Sequence, residues 1–363
     1  MRPLILLFIL LFSSSSFSAS VLSGLDRSGS YGFYNHIYQW EFNTTSNACR
    51  NLGHINIGVG GVFNADLSFS DLAMLSDRRI AITHTNTAYG YAISILSPQY
   101  DASGLLTNLV IDATLDNIVN GTRIAPLPNL GFVTLNWTTA SLWTNTGLNT
   151  WGSTLVSGIN GTAFDIAGLI RADDIEFVVG EYITPPGGSG ARSGHKYNSS
   201  GKIASYYNNF LASKLSWGYG IEGEGIRHSL LSNGWVTMGY AGNSYYTYIY
   251  DGTQTNNAWY DGFKGEITEA GNVSIADRTV TSLSDGRIVI WWKGGWTQTV
   301  VGFKVFTLVQ NPGGRTGTIG ADGEDFYVEF SGNYPNQDRS GLLAGDYMYV
   351  APPKRYPTVF RFR

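Results

Sequence analysis

Short runs in which aromatic and β-branched residues alternate with polar ones dominate the chain, and Gly, Asn, Asp and Ser separate these runs. Examples are YAISIL at residues 91–96, GFKVFTLV at residues 302–309 and TVFRFR at residues 358–363. Alternation with a period of two residues is typical of β-strands. The nearest approach to a helical period after the N-terminus lies at residues 203–215. The pattern therefore predicts an all-β fold.

Three of these runs are copies of one another: LSDRRIAI at residues 75–82, LSNGWVTM at 231–238 and LSDGRIVI at 283–290. Each combines a polar turn with the strand that follows it, because Asx and Gly residues tolerate the backbone of tight turns. Looser copies begin at Leu127, Ile170 and Leu343. The six copies follow one another at intervals typical of four-stranded propeller blades of about 40 to 50 residues with loop insertions.

The repeats predict a single β-propeller of six or seven four-stranded blades. Residues 31–42 (YGFYNHIYQWEF) are interpreted as the inner hairpin of a further blade, so seven blades fit the length slightly better. The last repeat ends after its second or third strand, and we expect the segment after the N-terminal leader to complete it. Such closure removes the unpaired edges of the sheets. The alternatives are a pair of β-sandwiches and a β-helix.

The repeat core is LSDG, followed by a β-branched strand that ends in Trp291 and Trp292. It resembles the blade repeats of secreted bacterial β-propellers, including those associated with large haemolysin-like exported proteins. The resemblance covers three good copies and implies a propeller fold and export, with no activity attached. The sialidase Asp box, Ser-x-Asp-x-Gly-x-Thr-Trp, does not occur in the sequence.

Residues 1–20 have the form of a secretory signal peptide, with Arg2, an apolar run at residues 4–12 and a Ser-rich end. The apolar run is shorter than the about 20 residues that a membrane-spanning helix needs. Cleavage fits after Ser18 or after Ser20. We therefore expect residues 21–363 to form one propeller domain without a membrane span, secreted or periplasmic.

Composition narrows the classes of partner. The chain has 45 Gly, 22 Tyr, 18 Phe and 10 Trp among 363 residues, and only 14% of its residues are charged. A formal net charge of −4 argues against a protein that binds nucleic acid by neutralising phosphates. Cys49 is the single cysteine, so no intramolecular disulfide forms, and we interpret it as a small buried hydrophobe.

No metal or other cofactor is predicted. The five histidines lack the H-x-x-x-H spacing, and one cysteine cannot build a thiolate zinc site. A calcium site is less firmly excluded than a zinc site, because Asp173, Asp174 and the DGED segment at residues 322–325 offer oxygen ligands. Neither segment has the alternating carboxylates of a calcium loop, and we interpret both as turn-capping residues.

The longest stretch without strand patterning, residues 183–202, contains Arg192, His195 and Tyr197. A polysaccharide lyase needs a cation beside the uronate carboxylate and a Tyr or His that moves the C5 proton. His228, at the start of the next repeat, would complete such a site. The competing interpretation is a solvated Gly- and Ser-rich loop.

Two other groups suit sugars. Glu222 and Glu224 lie in GIEGEG and would share a face of a strand, as a pair of glycosidase carboxylates requires. Trp259, Tyr260 and Trp296 lie in an aromatic-rich part of the chain, and aromatic planes stack on sugar rings. Blades also pack through aromatics, so at least half of these rings are expected in the core.

These observations favour a secreted β-propeller that binds an extracellular glycan through the loops at one end of its channel. The alternative is a carbohydrate-active enzyme, a polysaccharide lyase before a glycoside hydrolase. A third interpretation is a structural or adhesion module with protein partners.

Overall fold

The structure is a computed structural model of the chain, and every described residue lies in a strand, a turn or irregular backbone. The all-β prediction is thereby confirmed, and residues 203–208 belong to a strand instead of a helix. The structure describes residues 19–28, 35–43, 49–86, 90–118, 122–127, 131–136, 139–147, 149–159, 162–169, 176–183, 191–198, 200–208, 226–230, 236–240, 246–250, 263–268, 280–283, 287–293, 301–306, 324–328 and 339–345.

The strands in these ranges form antiparallel four-stranded sheets, numbered here 1 to 6. Sheet 1 contains β1 (Ala19–Ser28), β2 (His36–Asn43), β3 (Cys49–Asn56) and β24 (Arg339–Gly345). Sheet 2 contains β4 (Phe69–Met74), β5 (Ile80–Asn86), β6 (Gly90–Tyr100) and β7 (Leu106–Ile118). Sheet 3 contains β8 (Arg123–Pro126), β9 (Phe132–Asn136), β10 (Thr139–Gly147) and β11 (Thr150–Val156).

The second half of the chain repeats this plan. Sheet 4 contains β12 (Thr162–Leu169), β13 (Glu176–Ile183), β14 (Ala191–Asn198) and β15 (Gly201–Asn208). Sheet 5 contains β16 (Ile226–Leu230), β17 (Val236–Tyr240), β18 (Tyr246–Tyr250) and β19 (Phe263–Thr268). Sheet 6 contains β20 (Val280–Ser282), β21 (Ile288–Lys293), β22 (Val301–Phe306) and β23 (Glu324–Val328). Strands follow chain order within sheets 2 to 6.

The first strands of successive sheets contact one another. β4 contacts β8, β8 contacts β12, β12 contacts β16 and β16 contacts β20. β20 in turn contacts β24, and β24 contacts β4. The fold is therefore propeller-like. In sheets 2 to 6 the contacting strand is the first in chain order, and in sheet 1 it is β24, the last.

Sheet 1 joins the two ends of the described chain, because its strand order is β24, β1, β2, β3. β24 pairs with β1 from Leu22↔Gly345 to Ser28↔Arg339. The expectation that N- and C-terminal segments share a sheet is met, but the C-terminal segment supplies one strand and the N-terminal segment three. Residues 36–42 lie in the third strand of this sheet, which corrects their assignment to an inner hairpin. Their alternation identified a strand without revealing its place in the sheet.

The repeated turn has the same backbone hydrogen bond in three sheets. In each, the amide of the first repeat residue donates to the carbonyl four residues later: Leu75 to Arg79 (2.7 Å), Leu127 to Gly131 (2.9 Å) and Leu283 to Arg287 (2.9 Å). These turns join the first strand to the second in sheets 2, 3 and 6. The repeat therefore marks the hairpin between the first two strands in each of these three sheets.

Apolar side chains between neighbouring sheets form the core. The cluster between sheets 1 and 2 includes Leu25, Ile37, Leu72, Ile80 and Leu96. The cluster between sheets 3 and 4 includes Val133, Leu135, Phe177 and Tyr197. The apolar residues of the alternating runs thus pack between neighbouring sheets. No helix in the described part of the chain is long and apolar enough to cross a bilayer.

Candidate functional site

The segment predicted to be an irregular loop is largely strand. Residues 191–198 form β14, which pairs with β13 from Glu176↔Asn198 to Ile183↔Ala191. Residues 201–208 form β15, whose pairing with β14 shifts register at two places. These register shifts, together with the Gly and Ser residues, interrupt the alternation of apolar and polar residues that would indicate strands. Within residues 183–202, residues 184–190 and 199 lie outside the described part.

Tyr197 is a core residue. Its side chain is fully buried, and its ring stacks on Phe177 with centroids 5.8 Å apart and an interplanar angle of 16°. Both rings belong to the cluster of sheets 3 and 4 that contains Leu135. A polysaccharide chain cannot reach a side chain enclosed in this way, since a catalytic base must come within hydrogen-bond distance of its proton. This position corrects the prediction of Tyr197 as a catalytic residue.

The other three lyase candidates lie on two different sheets. Arg192 pairs with Tyr182 and His195 with Val179, both within sheet 4. His228 lies in β16 of sheet 5, opposite Met238. Pairing among the described strands therefore does not unite the four predicted residues in one site.

The predicted sugar contacts lie in connections between strands, outside the described residues. Glu222 and Glu224 lie between β15 and β16, Trp259 and Tyr260 between β18 and β19, and Trp296 between β21 and β22. Of the calcium candidates, Glu324 and Asp325 begin β23, whereas Asp173, Asp174 and Asp322 are outside the described residues. The described residues contain no group of three or more His, Cys, Asp or Glu side chains that could hold a metal ion.

A polar chain inside sheet 2 was not found by sequence reasoning. His84 Nε2 lies 2.8 Å from Ser94 Oγ, and its Nδ1 lies 2.7 Å from the Thr85 carbonyl oxygen. Since a carbonyl only accepts, Nδ1 donates and Nε2 accepts from the Ser94 hydroxyl. Ser94 Oγ also lies 3.2 Å from the hydroxyl of the exposed Thr114. These hydrogen bonds connect the buried His84 through Ser94 to the exposed Thr114.

The surroundings of His84 keep it neutral. The rings of Phe63 and Phe69 lie 4.6 and 6.1 Å from its ring centroid. Burial lowers the pKa of His84 below its ordinary 6.5, while the hydrogen bond to Thr85 and the charge of Asp116 act in the opposite direction. A Ser–His pair can activate a serine nucleophile, but Ser94 is fully buried. The pair therefore stabilises the sheet and offers no accessible nucleophile.

Aromatic rings form a continuous row on sheet 1. Tyr38 stacks on Trp40 at 5.8 Å between centroids and contacts His54 at 4.8 Å. His36 meets His54 edge-on at 5.1 Å. Tyr38 and Trp40 are buried, and His54 is exposed. In this row, aromatic side chains pack within the sheet.

Cys49 is a half-buried free thiol. Burial raises its pKa to about 12, although the charge of Arg287 acts to lower it. A thiol with such a pKa stays protonated at neutral pH and is a poor nucleophile and metal ligand. Cys49 is thus less buried than predicted but chemically as inert.

The chain matches no known family model and no curated protein. Among solved structures it is similar to a streptogramin B lyase at 12% identity, with 73% of this chain and 69% of that one covered and a TM-score of 0.35. A protein assigned as a 6-phosphogluconolactonase, from Bacteroides fragilis NCTC 9343, is 13% identical over 89% of this chain and 85% of that one, with a TM-score of 0.38.

A fungal alcohol oxidase of the AA5 family, in complex with copper, is 13% identical over 74% of this chain. The match covers 52% of the oxidase, about half its length, with a TM-score of 0.36. Similarities of this size carry no inference about activity.

Proposed function

We propose that the protein is a secreted six-bladed β-propeller that binds an extracellular glycan through the connections at one end of its channel. The blade number is supported by the contacts between first strands, which run from β4 through β8, β12, β16 and β20 to β24 and back to β4. The pairing of β24 with β1 supports a closed ring, because it places the last described strand in the first sheet.

The burial of Tyr197 favours binding over the lyase chemistry predicted for that residue. A lyase requires its base beside the C5 proton of an enclosed substrate, and Tyr197 instead stacks on Phe177 in the core. Glycan binding requires no such base. It needs aromatic planes and hydrogen-bonding groups at an accessible concave surface, which the channel end of a propeller supplies.

A neutral glycan suits the chain better than a polyanion. Only 14% of the residues are charged, with a net charge of −4, so a field that attracts polyanions is missing from the sequence. Large described aromatics such as Trp40, Phe42 and Phe132 are buried. Tyr100, in β6, is 42% exposed, so the aromatic candidates for sugar stacking are Tyr100 and the rings in strand connections.

Strand order separates these candidates into two groups. Because neighbouring strands are antiparallel, connections that follow the second and fourth strands of a blade share one end of a propeller, and those that follow the first and third share the other. Trp296 follows β21, a second strand, and Glu224 follows β15, a fourth strand. Trp259 follows β18, a third strand. We assign the binding end to Trp296, Glu222 and Glu224, which combine a stacking ring with hydrogen-bonding carboxylates.

A matched pair of tryptophan variants tests this assignment. The wild type is first profiled on a glycan array, and the best glycan is titrated by calorimetry. Trp296→Ala should weaken binding by roughly tenfold, the loss expected for one stacking contact, whereas Trp259→Ala should leave the Kd unchanged. The reverse result would move the site to the other end, and silence across a broad array would refute glycan binding.

Catalysis is tested separately. Soluble polysaccharides are incubated with the protein while absorbance at the unsaturated-uronate band and reducing ends are followed. We expect neither signal to rise. A rise that Glu222→Gln abolishes would make the protein a hydrolase, and a rise at the uronate band would restore the lyase alternative.

A further inference from the structure

The strand β6 ends in an aromatic ring that is open to solvent. Among the Phe, Tyr and Trp residues whose burial the structure describes, Tyr100 is the exposed one. Leu105, at the end of the turn that follows, is 41% exposed. Rings presented to solvent on a fixed backbone are the groups on which proteins stack sugars. We propose that Tyr100 forms a second glycan contact, separate from the site at Trp296; this inference rests on the proposed glycan binding.

Strand order assigns this contact to the end of the fold opposite to Trp296. The turn at residues 101–105 follows β6, the third strand of sheet 2, whereas Trp296 follows β21, the second strand of sheet 6. Connections after second strands and connections after third strands lie at opposite ends of a propeller. A glycan bound at Tyr100 would therefore occupy a different surface from a glycan bound at the channel end.

The Tyr100 ring is held in place by sheet 1. Its hydroxyl donates to Oε1 of Gln39 at 2.8 Å, and Nε2 of Gln39 donates to Oγ of Ser23 at 3.0 Å. Gln39 and Ser23 are both fully buried. The ring is thus anchored at its hydroxyl before any ligand arrives, so binding costs less of the conformational entropy that an exposed side chain normally loses.

The turn after Tyr100 is ordered as well. Oδ1 of Asp101 accepts hydrogen bonds from the amide of Ser103 at 2.8 Å and from the amide of Leu105 at 2.9 Å. The amide of Asp101 donates to the carbonyl of Leu105 at 2.9 Å. Arg50, in β3 of sheet 1, donates to the carbonyl of Ser103 and holds the turn against sheet 1. The surface around the ring is therefore largely preorganised.

Polar side chains suited to sugar hydroxyls lie beside this turn. The side chain of Arg50 is 47% exposed and lies 3.7 Å from the carboxylate of Glu41, which is 37% exposed. A guanidinium donates hydrogen bonds and a carboxylate accepts them, and a sugar hydroxyl does both. The charges of Arg50 and Glu41 offset each other, and the exposed Asp101 adds a negative charge. The surface therefore suits a neutral glycan better than a polyanion.

Calorimetric titration with the best neutral glycan from the array tests the inference. A single exposed ring covers less of a sugar than a concave site does, so we expect the wild type to bind two glycans, the second more weakly. Tyr100→Ala should weaken the second event by roughly tenfold and leave the first unchanged. Tyr100→Phe keeps the ring and should retain most of the affinity. Leu155→Ala, at an apolar residue of sheet 3 that is 66% exposed, is the matched control and should bind as the wild type does.

The alternative results separate this inference from the proposed function. A single binding event that Tyr100→Ala leaves unchanged would overturn the inference, and glycan binding at the channel end would stand. Silence across the array would refute both. Sedimentation equilibrium of the same proteins tests a second copy of the chain as the occupant of this surface. A wild-type dimer that Tyr100→Ala converts to a monomer would assign the ring to an interface between copies and overturn the inference.

Discussion

At the scale of single residues, the repeat explains an unusual backbone conformation. Arg78 occupies the position of Gly286 in the repeat and adopts a φ of 69°, in the left-handed region that glycine enters without strain. The side chain compensates by donating to the carbonyl of Ala19. A turn position suited to glycine has thereby become a contact between sheets.

Two variants of Arg78 separate these effects. Arg78→Ala loses the hydrogen bond and keeps the backbone strain, whereas Arg78→Gly loses the same bond and relieves the strain. We expect the Gly variant to be more stable than the Ala variant by about 1 kcal/mol, the cost of a left-handed non-glycine residue. Urea unfolding followed by tryptophan fluorescence measures the difference. Equal stabilities would mean that the turn relaxes to another conformation.

His84 makes the stability of the fold sensitive to acid. Burial lowers the pKa of His84 in the folded protein. In mildly acidic solution the unfolded chain therefore binds a proton at His84 more readily than the folded protein does. The contribution of neutral His84 to the free energy of unfolding is therefore complete above the unfolded pKa of about 6.5. It is lost as the pH falls below that value toward the pKa of the folded state.

The measurement is the free energy of unfolding between pH 7.5 and pH 5.5, about one unit on either side of the histidine pKa. We expect wild-type stability to fall across this interval and His84→Gln, which retains groups able to bond Ser94, to show a flatter profile. His54→Gln, at an exposed histidine, is the control and should follow the wild type. Parallel profiles for wild type and His84→Gln would assign the acid sensitivity to other groups.

At the scale of elements, the arginine that ends the repeated turn contacts an aromatic ring of the next sheet. The guanidinium carbon of Arg79 lies 5.6 Å from the ring centroid of Trp151 in sheet 3, and that of Arg287 lies 5.4 Å from Phe42 in sheet 1. Arg287 Nη2 also donates to the Asn43 carbonyl at 3.3 Å. The same repeat position thus joins sheet 2 to sheet 3 and sheet 6 to sheet 1.

Removing these arginines should destabilise the two junctions to different extents. Arg287→Ala loses a cation–π contact worth about 0.5 to 1 kcal/mol and a long hydrogen bond to the Asn43 carbonyl. Arg79→Ala should cost more, because Arg79 also bonds Asp77 at 2.7 Å and lies 3.6 Å from Asp112. Thermal unfolding of both variants measures this order. The reverse order would show that the junction of sheets 6 and 1 contributes more to the stability of the fold than the junction of sheets 2 and 3.

Sequence patterns predicted the repeated hairpins well and the places of strands in their sheets poorly. The LSDG-type turns are visible because their short polar residues recur at the same place in each copy. β14 escaped notice because its irregular pairing with β15 interrupts the alternation. Tyr197 and Phe177 lie on different strands, so no local sequence pattern indicates their buried contact.

At the scale of the whole molecule, both terminal segments contribute to one sheet. β1 lies between β24 and β2, so loss of β24 would expose a row of unpaired backbone groups from Leu22 to Ser28. Such an edge favours intermolecular pairing. The proposed ring thus depends on the C-terminal strand.

Two truncations test this dependence. Deletion of residues 339–363 removes β24, and we expect it to cause aggregation and loss of cooperative unfolding. Deletion of residues 346–363 leaves every described pair of β24 intact and is the control. Size-exclusion chromatography and circular dichroism during heating distinguish the two. A monomeric, cooperatively folded 339–363 deletion would contradict the role of β24 as the closing strand.

The β1–β24 ladder also has a kinetic consequence. Its partners are the first and last described strands, so the ladder can form only after nearly the whole chain has been made. Pairing over such sequence separation requires a large loop to close and is slow compared with hairpin formation. Sheet 1 should therefore be the last to acquire protection from hydrogen exchange, and until then the edge of β1 that faces β24 would stay unpaired.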